Sequence, residues 1–289
     1  MPDQKQSHIS VIIPTCHRND LLAKCLDCLA PGVQTLAPEL YEVIVTDDGS
    51  RTTAQQLVQE SYPWVQWTEG PRRGPAANRN HGARIAQGEW LAFTDDDCLP
   101  KPEWLEAYWT SIQPNIFVYE GKTTCEAGLH SPLQDAPINL TGGWLWSCNM
   151  MAKKEIFELL RGFDEDFPHP HMEDVDFRDR LKSDHLDFVF VECAVVDHPP
   201  RRVAWGPERG AAQESEIMSY FKSGRSRLAG LRILKRTVGF RLRAIKNNRF
   251  SADTIRALGS LFCELFYLST KVRGWEAKYK AAYLSSKSD

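Results

Sequence analysis

The chain has 289 residues, 42% of them hydrophobic, and a formal net charge of −3, which indicates an ordinary globular protein with one large or two modest domains. No apolar run reaches the roughly 18 residues of a membrane-spanning helix, and residues 1–8 are polar, so we exclude a spanning helix and a signal peptide and expect a cytoplasmic location. The eight cysteines lack the spacing of a disulfide scaffold or a zinc site, and we interpret them as free thiols.

The first hundred residues alternate between predicted strands and predicted helices. Short β-branched runs predict strands at 9–15, 41–46, 65–67 and 88–94. Apolar residues at helical spacing predict helices from a cap at Asn19 or Asp20 to Leu29, and at 55–60 and 74–87. This alternation predicts a Rossmann-like α/β fold whose mostly parallel sheet has helices on both faces. In such sheets a ligand binds at the carboxyl ends of the strands.

Two acidic clusters fall at those carboxyl ends. Asp47 and Asp48 follow the second strand, and Asp95, Asp96 and Asp97 follow the central strand. Three adjacent carboxylates repel one another unless a cation lies among them. In an extended segment Asp95 and Asp97 point to one face and Asp96 to the other, which predicts an Asp-x-Asp pair that holds Mg²⁺ or Mn²⁺, and through it a diphosphate. The alternative is a solvated acidic turn.

The first strand lacks the glycine-rich loop that binds dinucleotides or ATP. Residues 15–20 take its place, which argues against an NAD enzyme and a P-loop ATPase. The phosphates of a nucleotide would then be neutralised mainly by a metal on aspartates, helped by Arg18, Arg73 or Arg79.

Six segments, taken together and in this order, resemble the motifs of the family 2 glycosyltransferases, which have the GT-A fold. They are Val11-Ile12-Ile13-Pro14-Thr15 with Arg18, Val45-Thr46-Asp47-Asp48-Gly49-Ser50, Gly74-Pro75-Ala76-Ala77-Asn78-Arg79-Asn80, Phe93-Thr94-Asp95-Asp96-Asp97-Cys98-Leu99-Pro100, Gly162-Phe163-Asp164-Glu165 and Met172-Glu173-Asp174-Val175-Asp176-Phe177. The resemblance covers roughly residues 8–200.

The resemblance implies roles for individual residues. The residues expected to bind the nucleotide sugar are Pro14, Thr15, Arg18, Asp47, Asp48, Arg79, Asp95 and Asp96. Asp95 and Asp97 are similar to the family pair that holds ribose and metal, and the third acid, Asp96, leaves open which two carboxylates touch the ion. His198, at the end of a strand predicted over 188–196, resembles a further metal ligand of some GT-A enzymes; the alternative is a structural histidine.

The same resemblance makes Asp174, with Glu173, the catalytic candidate. Asp174 is similar to the general base of the family, and a carboxylate at the start of a helix is stabilised in its charged form. The alternative is that both acids cap that helix. His169 and His171 offer an alternative metal pair. A base that activates a hydroxyl opposite the leaving group inverts the anomeric centre, and the absence of a Gln-x-x-Arg-Trp motif predicts the addition of a single sugar.

Two further segments are candidates for substrate contact. Trp144 and Trp146, within 142–146, offer aromatic faces on which the sugar of an acceptor can stack, although tryptophans are often core residues. Segment 201–210 is polar and basic, and we interpret it as a mobile loop that closes over the diphosphate or as a linker.

The C-terminal segment is strongly basic. Residues 217–252 contain ten Lys or Arg and no Asp or Glu, and apolar residues recur at helical spacing from Leu228 to Ile245 and from Ile255 to Leu265. This pattern fits an interfacial helix on an anionic membrane, with the cations on its polar face. Packing on the catalytic domain or on a second subunit remains an alternative. Nucleic acid is not expected, because aromatic residues are not interleaved with the cations.

These observations predict a GT-A catalytic domain at 1–210, with a nucleotide-binding half at about 8–100 and an acceptor half at about 101–210, and a basic helical extension at 211–289. The predicted activity is a metal-dependent, inverting transfer of one sugar from a nucleotide-diphosphate sugar, by resemblance a UDP-sugar, in polysaccharide or lipid-linked saccharide synthesis. The acceptor is a saccharide or lipid-linked hydroxyl, at the inner face of the membrane, and a homo-oligomer is left open. Two rivals are a sugar-nucleotide-binding protein without catalysis and a sugar-phosphate nucleotidyltransferase.

Overall fold

The computed structural model describes residues 9–225, 228–248 and 250–285, and divides the chain into two units. Unit 1 takes the described parts of Met1–Glu126, Pro137–Glu165 and Glu173–Pro199, and unit 2 takes Ala127–Ala136, Asp166–Met172 and the described parts of Pro200–Asp289. The polar residues 1–8 and the two cations Arg227 and Arg249 lie outside the described residues.

Ten strands and nine α-helices are found in the described part of the chain. The strands are β1 (Ile9–Thr15), β2 (Tyr41–Asp47), β3 (Val65–Glu69), β4 (Trp90–Thr94), β5 (Leu99–Pro100), β6 (Val118–Thr124), β7 (Gln134–Asp135), β8 (Asn149–Lys153), β9 (Val189–Asp197) and β10 (Arg201–Arg202). The helices are α1 (Asn19–Leu29), α2 (Gln55–Ser61), α3 (Pro75–Ile85), α4 (Trp104–Thr110), α5 (Lys154–Leu159), α6 (Glu173–Ser183), α7 (Gly206–Lys222), α8 (Ala229–Lys246) and α9 (Ala252–Ser285).

Unit 1 is built on one eight-stranded sheet in the order β3-β2-β1-β4-β8-β6-β9-β5. The pairs among β3, β2, β1 and β4 are parallel, as is β6 with β9, whereas β8 is antiparallel to both neighbours. The predicted mostly parallel sheet is therefore confirmed. In this register Thr15 lies beside Asp47, so β1 and β2 end at the same edge.

Both faces of this sheet are buried by helices, as predicted. Alternate residues of β1 point to opposite faces: Val11 belongs to the core beneath α1, and Ile12 to the core beneath α3, α5 and α6. In the second core Phe93 packs on Phe157 and Phe163, with ring centroids 5.1 and 5.3 Å apart. Such two-sided burial explains why the strands read as nearly continuous apolar runs.

The start of α1 differs from the prediction. Asn19 and Asp20 lie inside the helix, Arg18 occupies the N-cap position, and no side chain caps the helix. The side-chain Nδ2 of Asn19 instead donates to the Thr53 carbonyl at 3.0 Å, so Asn19 binds a residue distant in sequence and does not cap α1. The start of α3 follows the usual rule, because Gly74 has φ +90° and Pro75 is the first helical residue.

Unit 2 consists of α7, α8 and α9 with the short pair of β7 and β10. Its core contains Ile217, Ile233, Leu268 and Val272, and it confirms the predicted helical extension. The expectation of a loop over 201–210 is wrong: Arg201 and Arg202 form β10, and α7 begins at Gly206, so the predicted boundary at 210 lies inside a helix.

A close approach explains why the first residue of α7 is a glycine. A Cβ atom at Gly206 would lie 2.3 Å from the carbonyl oxygen of Ser260 and 2.8 Å from the nitrogen of Glu264, so only glycine lets α7 pack this tightly on α9.

The expectation that all ten cations of 217–252 share a polar face is also wrong. Arg241 is buried between α8 and α9, where its Nε lies 3.4 Å from Glu264 Oε2, and Arg236 is hydrogen-bonded to Glu216. Among the described residues, no helix combines the length and the apolar character that crossing a bilayer requires.

Candidate active site

The acidic residues after β4 form a turn. The strand ends at Thr94, and the Cys98 amide donates to the Asp95 carbonyl at 3.1 Å. The expectation that Asp95 and Asp97 share a face by strand alternation is therefore wrong, because the extended backbone has already ended. The three carboxylates have different neighbours. Asp95 contacts Arg79, Asp96 contacts Thr15 and Asp97 faces His198.

Asp96 ties the end of β4 to the end of β1. Its Oδ2 accepts a hydrogen bond from Thr15 Oγ1 at 2.7 Å, and its Oδ1 lies 3.0 Å from Arg18 Nη1. The same Arg18 nitrogen lies 2.9 Å from Asp97 Oδ2. Burial raises the pKa of Asp96 to about 7, although Arg18 and Thr15 both favour its charged form. The structure thus joins four predicted site residues at one edge of the sheet.

Asp97 and His198 form the best candidate metal pair among the described residues. One ligand atom each from Asp97, Cys98 and His198 lies within 4.8 Å of the others, and His198 Nε2 is 3.4 Å from Asp97 Oδ1. His198 Nδ1 is 2.9 Å from the Pro199 carbonyl, whereas its fully buried Nε2 has no hydrogen-bond partner. A ring whose other nitrogen binds a carbonyl is oriented as metal-ligating histidines usually are.

A carboxylate, a thiol and an imidazole are the groups that this site could offer to a metal ion. Burial raises the pKa of the Cys98 thiol well above its ordinary value, so a carboxylate and an imidazole remain as ligands. Burial disfavours the His198 imidazolium, but contact with Asp97 outweighs that effect and raises the pKa of His198 to about 9. A proton or a metal ion can therefore supply the positive charge here. Asp95, His169 and His171 lie outside this group.

Arg79 connects the acidic turn to the start of α6. From α3 its Nη2 reaches Asp95 Oδ1 at 2.5 Å, and its Nη1 reaches Glu173 Oε1 at 3.3 Å. The side chain is buried, which alone would lower its pKa, but Asp95 and Glu173 raise the pKa of Arg79 above its ordinary value. Both terminal nitrogens thus bind carboxylates, and the predicted metal and catalytic segments are held together.

Glu173 and Asp174 occupy the first turn of α6 in different environments. Glu173 is buried with Oε2 unpaired, and burial together with Asp174 raises the pKa of Glu173 to about 7. Asp174 is partly exposed and accepts from the amides of Ser147 at 3.3 Å and Val175 at 2.7 Å. Burial also raises the pKa of Asp174, against the effect of Arg79. The more accessible of the two carboxylates is therefore Asp174.

The two tryptophans form an aromatic surface. The rings of Trp144 and Trp146 stack with centroids 5.2 Å apart and an interplanar angle of 28°. Trp146 packs on the core, whereas Trp144 is about half exposed. Because Ser147 follows these residues and donates to Asp174, the aromatic segment lies next to the catalytic candidate.

Glu120 in β6 fixes this segment, and sequence reasoning missed it. Its buried carboxylate accepts hydrogen bonds from the amides of Gly143, Trp144 at 3.1 Å and Leu145 at 2.8 Å. Asn139 donates to it as well, at 3.1 Å. The sequence gives little signal, because Glu120 is one of several polar residues in β6, which also contains Lys122, Thr123 and Thr124.

Asp47 and Asp48 order the loops beyond β2. The carboxylate of Asp47 accepts from the amides of Gly49 at 2.7 Å and Ala54 at 2.5 Å, and that of Asp48 from the amides of Arg72 at 2.8 Å and Gly74 at 3.1 Å. Burial raises the pKa of Asp48. Pro14 lies in β1 beside Thr46, at the same edge.

Comparison with known proteins gives this arrangement a context. The family model for glycosyl transferase family 2 matches residues 10–119. Among curated relatives, the validoxylamine A glucosyltransferase of Streptomyces hygroscopicus subsp. limoneus is 27% identical over 219 residues, which cover 61% of this chain and 48% of the relative. The chondroitin synthase of Escherichia coli is 28% identical over 243 residues, which cover 66% of this chain and 35% of the relative. The chain thus spans about half or less of the length of these relatives.

Solved structures share the fold. The mannosyltransferase PcManGT of Pyrobaculum calidifontis, solved with GDP-Man and Mn²⁺, aligns over 98% of this chain and 75% of its own, with a TM-score of 0.53 and 19% identity. TarS 1–349 of S. aureus aligns over 97% and 91%, with a TM-score of 0.56 and 17% identity. The match over residues 10–119 and the glycosyltransferases among the relatives support a family 2 glycosyltransferase, and the solved structures show that the chain has the GT-A fold.

Proposed function

We propose that the chain is an inverting, metal-dependent glycosyltransferase that moves one sugar from a UDP-sugar to a hydroxyl of a saccharide or lipid-linked acceptor. The observation that carries the proposal is the link through Arg79 between the acidic turn, which includes Asp97 opposite His198, and the carboxylates that open α6. One solved neighbour is described with GDP-Man and Mn²⁺ and another with UDP, which supports a nucleotide-sugar donor and a divalent ion.

Asp97 and His198 would hold the ion, whereas the predicted ligand Asp95 is held by Arg79. A bound Mn²⁺ or Mg²⁺ neutralises the charge that develops on a departing diphosphate. Arg18 contributes a second positive charge beside Asp96 and Asp97. Pro14, Thr15, Asp47 and Asp48, at the ends of β1 and β2, are proposed to form the nucleotide-binding edge.

Asp174 is proposed to take the proton of the acceptor hydroxyl. It is partly exposed, it stands at the N-terminus of α6, and its raised pKa makes it a better proton acceptor than an ordinary aspartate. Glu173, buried against Arg79, positions this turn of the helix. Trp144, stacked on Trp146, offers the acceptor sugar an apolar face. Attack from the side opposite the leaving diphosphate gives inversion.

The test is a screen of UDP- and GDP-sugars for Mn²⁺-dependent release of the nucleoside diphosphate, with Asp97→Asn beside the unchanged chain. We expect release from a UDP-sugar, with loss of turnover in Asp97→Asn. Asp184→Asn is the matched control, because Asp184 is an exposed aspartate just beyond α6. Calorimetric binding of UDP and Mn²⁺ without turnover would favour a sugar-nucleotide-binding protein. Formation of a nucleotide sugar from a sugar phosphate would favour a nucleotidyltransferase.

The pathway and the location of the reaction extend this proposal. We propose a role in the synthesis of polysaccharide or lipid-linked saccharide at the inner face of a membrane, with the basic segment 217–252 towards anionic lipid. The absence of acidic residues over that segment supports this orientation.

A further inference from the structure

The helix α8 buries Ile233 together with small and polar residues, and it exposes two of its leucines. Leu231 and Leu242 are 60% and 49% exposed. The buried residues of α8 are Ala229, Gly230, Ile233, Thr237 and Arg241. A surface helix normally turns its apolar stripe towards the core, so the leucine stripe of α8 faces outward against the usual rule.

The helix α9 shows the same feature. Ile255, Leu258, Phe262 and Phe266 recur at helical spacing and are all exposed, with Phe262 at 72% and Phe266 at 67%. Isolated exposed apolar residues need no explanation, but a row of four along one helix marks a surface that something covers.

The two stripes lie on one side of the α8 and α9 pair. In α8, Phe240 packs on Arg209 of α7 with 5.2 Å between guanidinium and ring, and a rotation of 100° per residue places Leu231 and Leu242 on the far side. In α9, Glu264 lies against the start of α7, and the same rotation places Phe262 and Phe266 opposite it.

Contacts between α8 and α9 join these stripes into one surface. The Gly230 amide donates to Glu276 at 2.8 Å, and Arg241 pairs with Glu264 further along, so the helices are antiparallel neighbours. Because both stripes point away from α7, they form a continuous surface that we call the α8–α9 outer face. It consists of Leu231, Leu242, Ile255, Leu258, Phe262 and Phe266.

The charges bordering this face favour an anionic partner. Lys235, Arg243 and Lys246 are exposed beside the stripe of α8, and residues 217–252 contain no acid. The acids of α9 bind within unit 2: Asp253 accepts from Ser131, and Glu264 and Glu276 contact α8. If a second copy of the chain docked on this face through its own outer face, it would present an identical row of cations. Neither copy would offer a row of acidic residues to pair with them.

We propose that the α8–α9 outer face docks on a lipid bilayer that contains anionic headgroups. Phe262 and Phe266 insert among the upper acyl chains while the lysines and the arginine contact headgroup phosphates, so both helices lie in the plane of the interface. The proposal specifies the surface that contacts the membrane: four of its six residues lie on α9, outside the basic segment. It rests on the membrane location proposed above and is independent of the catalytic proposal.

Co-sedimentation of the full chain with vesicles tests the apolar part. Vesicles of phosphatidylcholine alone are compared with vesicles of equal parts phosphatidylcholine and phosphatidylglycerol. We expect Phe262→Ser with Phe266→Ser to lower the partition coefficient on the anionic vesicles about tenfold or more, because two exposed rings lose their burial. The control is Leu159→Ser, an equally exposed apolar residue (68%) on α5, which should leave partitioning unchanged.

Charge reversal tests the polar part. Lys235→Glu with Lys246→Glu should remove the preference for anionic vesicles, a fall of about tenfold, and added salt should reduce binding of the unchanged chain in the same direction. The matched control is Lys24→Glu, because Lys24 is an exposed lysine on α1.

Three outcomes would overturn the proposal. One is equal partitioning of the double phenylalanine variant and the unchanged chain. Another is light scattering that shows a dimer which the same variant dissociates, since a second copy would then cover the face. A third needs no variant: hydrogen exchange over 255–266 should slow when anionic vesicles are added, and an unchanged rate would exclude docking through this face. None of these readouts involves sugar transfer.

Discussion

Units 1 and 2 both bury an arginine against carboxylates, but in different settings. In unit 1, Arg79 joins Asp95 and Glu173 at the edge where parallel strands end. In unit 2, Arg241 meets Glu264 in the middle of two packed helices. Around the Arg79 ion pairs, Asp95 lies in the turn after β4, and Glu173 opens α6 just after Met172, which has φ +82°. The buried ion pair of unit 1 thus joins residues of the proposed site at turns, whereas that of unit 2 joins two helices.

The largest expected effect comes from removing the proposed base in unit 1. Asp174→Asn should lower kcat by roughly 10²–10⁴-fold, because an amide cannot accept the proton of the acceptor. Steady-state kinetics would measure it, and the thermal midpoint should stay close to that of the unchanged chain. An unaffected kcat would remove Asp174 from the mechanism and leave it as a helix cap.

Breaking each buried ion pair compares the two units directly. Arg79→Met and Arg241→Met should each lower the free energy of unfolding by about 3–5 kcal/mol, since each removes the nearest cation from a buried carboxylate, Glu173 or Glu264. Urea denaturation measures both effects.

A companion substitution separates the two roles. In unit 2, Arg241→Met with Glu264→Leu should recover most of the lost stability, because the pair there is structural. If Arg241→Met alone abolished sugar transfer in a chain that remained folded, the contrast between the units would be wrong.

The pH dependence of stability tests the setting of Glu173. Its pKa rises from an ordinary 4.5 to about 7 in the folded chain, so between these values the folded state binds more protons than the unfolded state. The free energy of unfolding should therefore fall as the pH rises from about 4.5 to 7, with up to about 3 kcal/mol from this group. Asp96 acts in the same direction, because its pKa is also raised to about 7.

Glu173→Gln should flatten that slope between pH 4.5 and 7 without abolishing it. Denaturation at a series of pH values measures the change. A slope as steep as that of the unchanged chain would mean that Glu173 titrates normally.

The smallest expected effect concerns the aromatic surface. Trp144→Ala should raise the KM for the acceptor about fivefold with kcat nearly unchanged, because stacking on a sugar contributes about 1 kcal/mol. Trp205→Ala is the matched control, since Trp205 in unit 2 is as exposed as Trp144. An equal response of the two variants would remove Trp144 from the acceptor site.

The sequence predicted the strands and helices of unit 1 well, because burial on both faces leaves uninterrupted β-branched runs such as residues 9–13. The motifs around Asp47, Asp95 and Glu173 also named side chains that the fold brings to one edge or links directly. The placement of those residues supports the predicted roles in binding and catalysis, which stay predictions.

The misses share a physical cause. The directions of the Asp95 and Asp97 side chains depend on the turn that follows Thr94. Hydrophobic periodicity does not show at which residue a strand ends. The role of Glu120 is visible only in the structure, because the main-chain amides that donate to its carboxylate lie more than twenty residues further along the chain. An outward apolar stripe on α8 is what the predicted interfacial helix implies, but the burial of Arg241 against Glu264 of α9 could not be predicted, because it depends on tertiary packing.

Glu120 has a practical consequence for redesign. Its carboxylate accepts hydrogen bonds from the main-chain amides of Gly143, Trp144 and Leu145. The backbone of that segment therefore does not depend on which side chain stands at position 144. A library randomised at this position would vary the surface that we propose for the acceptor sugar while the backbone keeps its path. Selection for new acceptors can therefore begin at a single codon, provided that the carboxylate beneath it is left untouched.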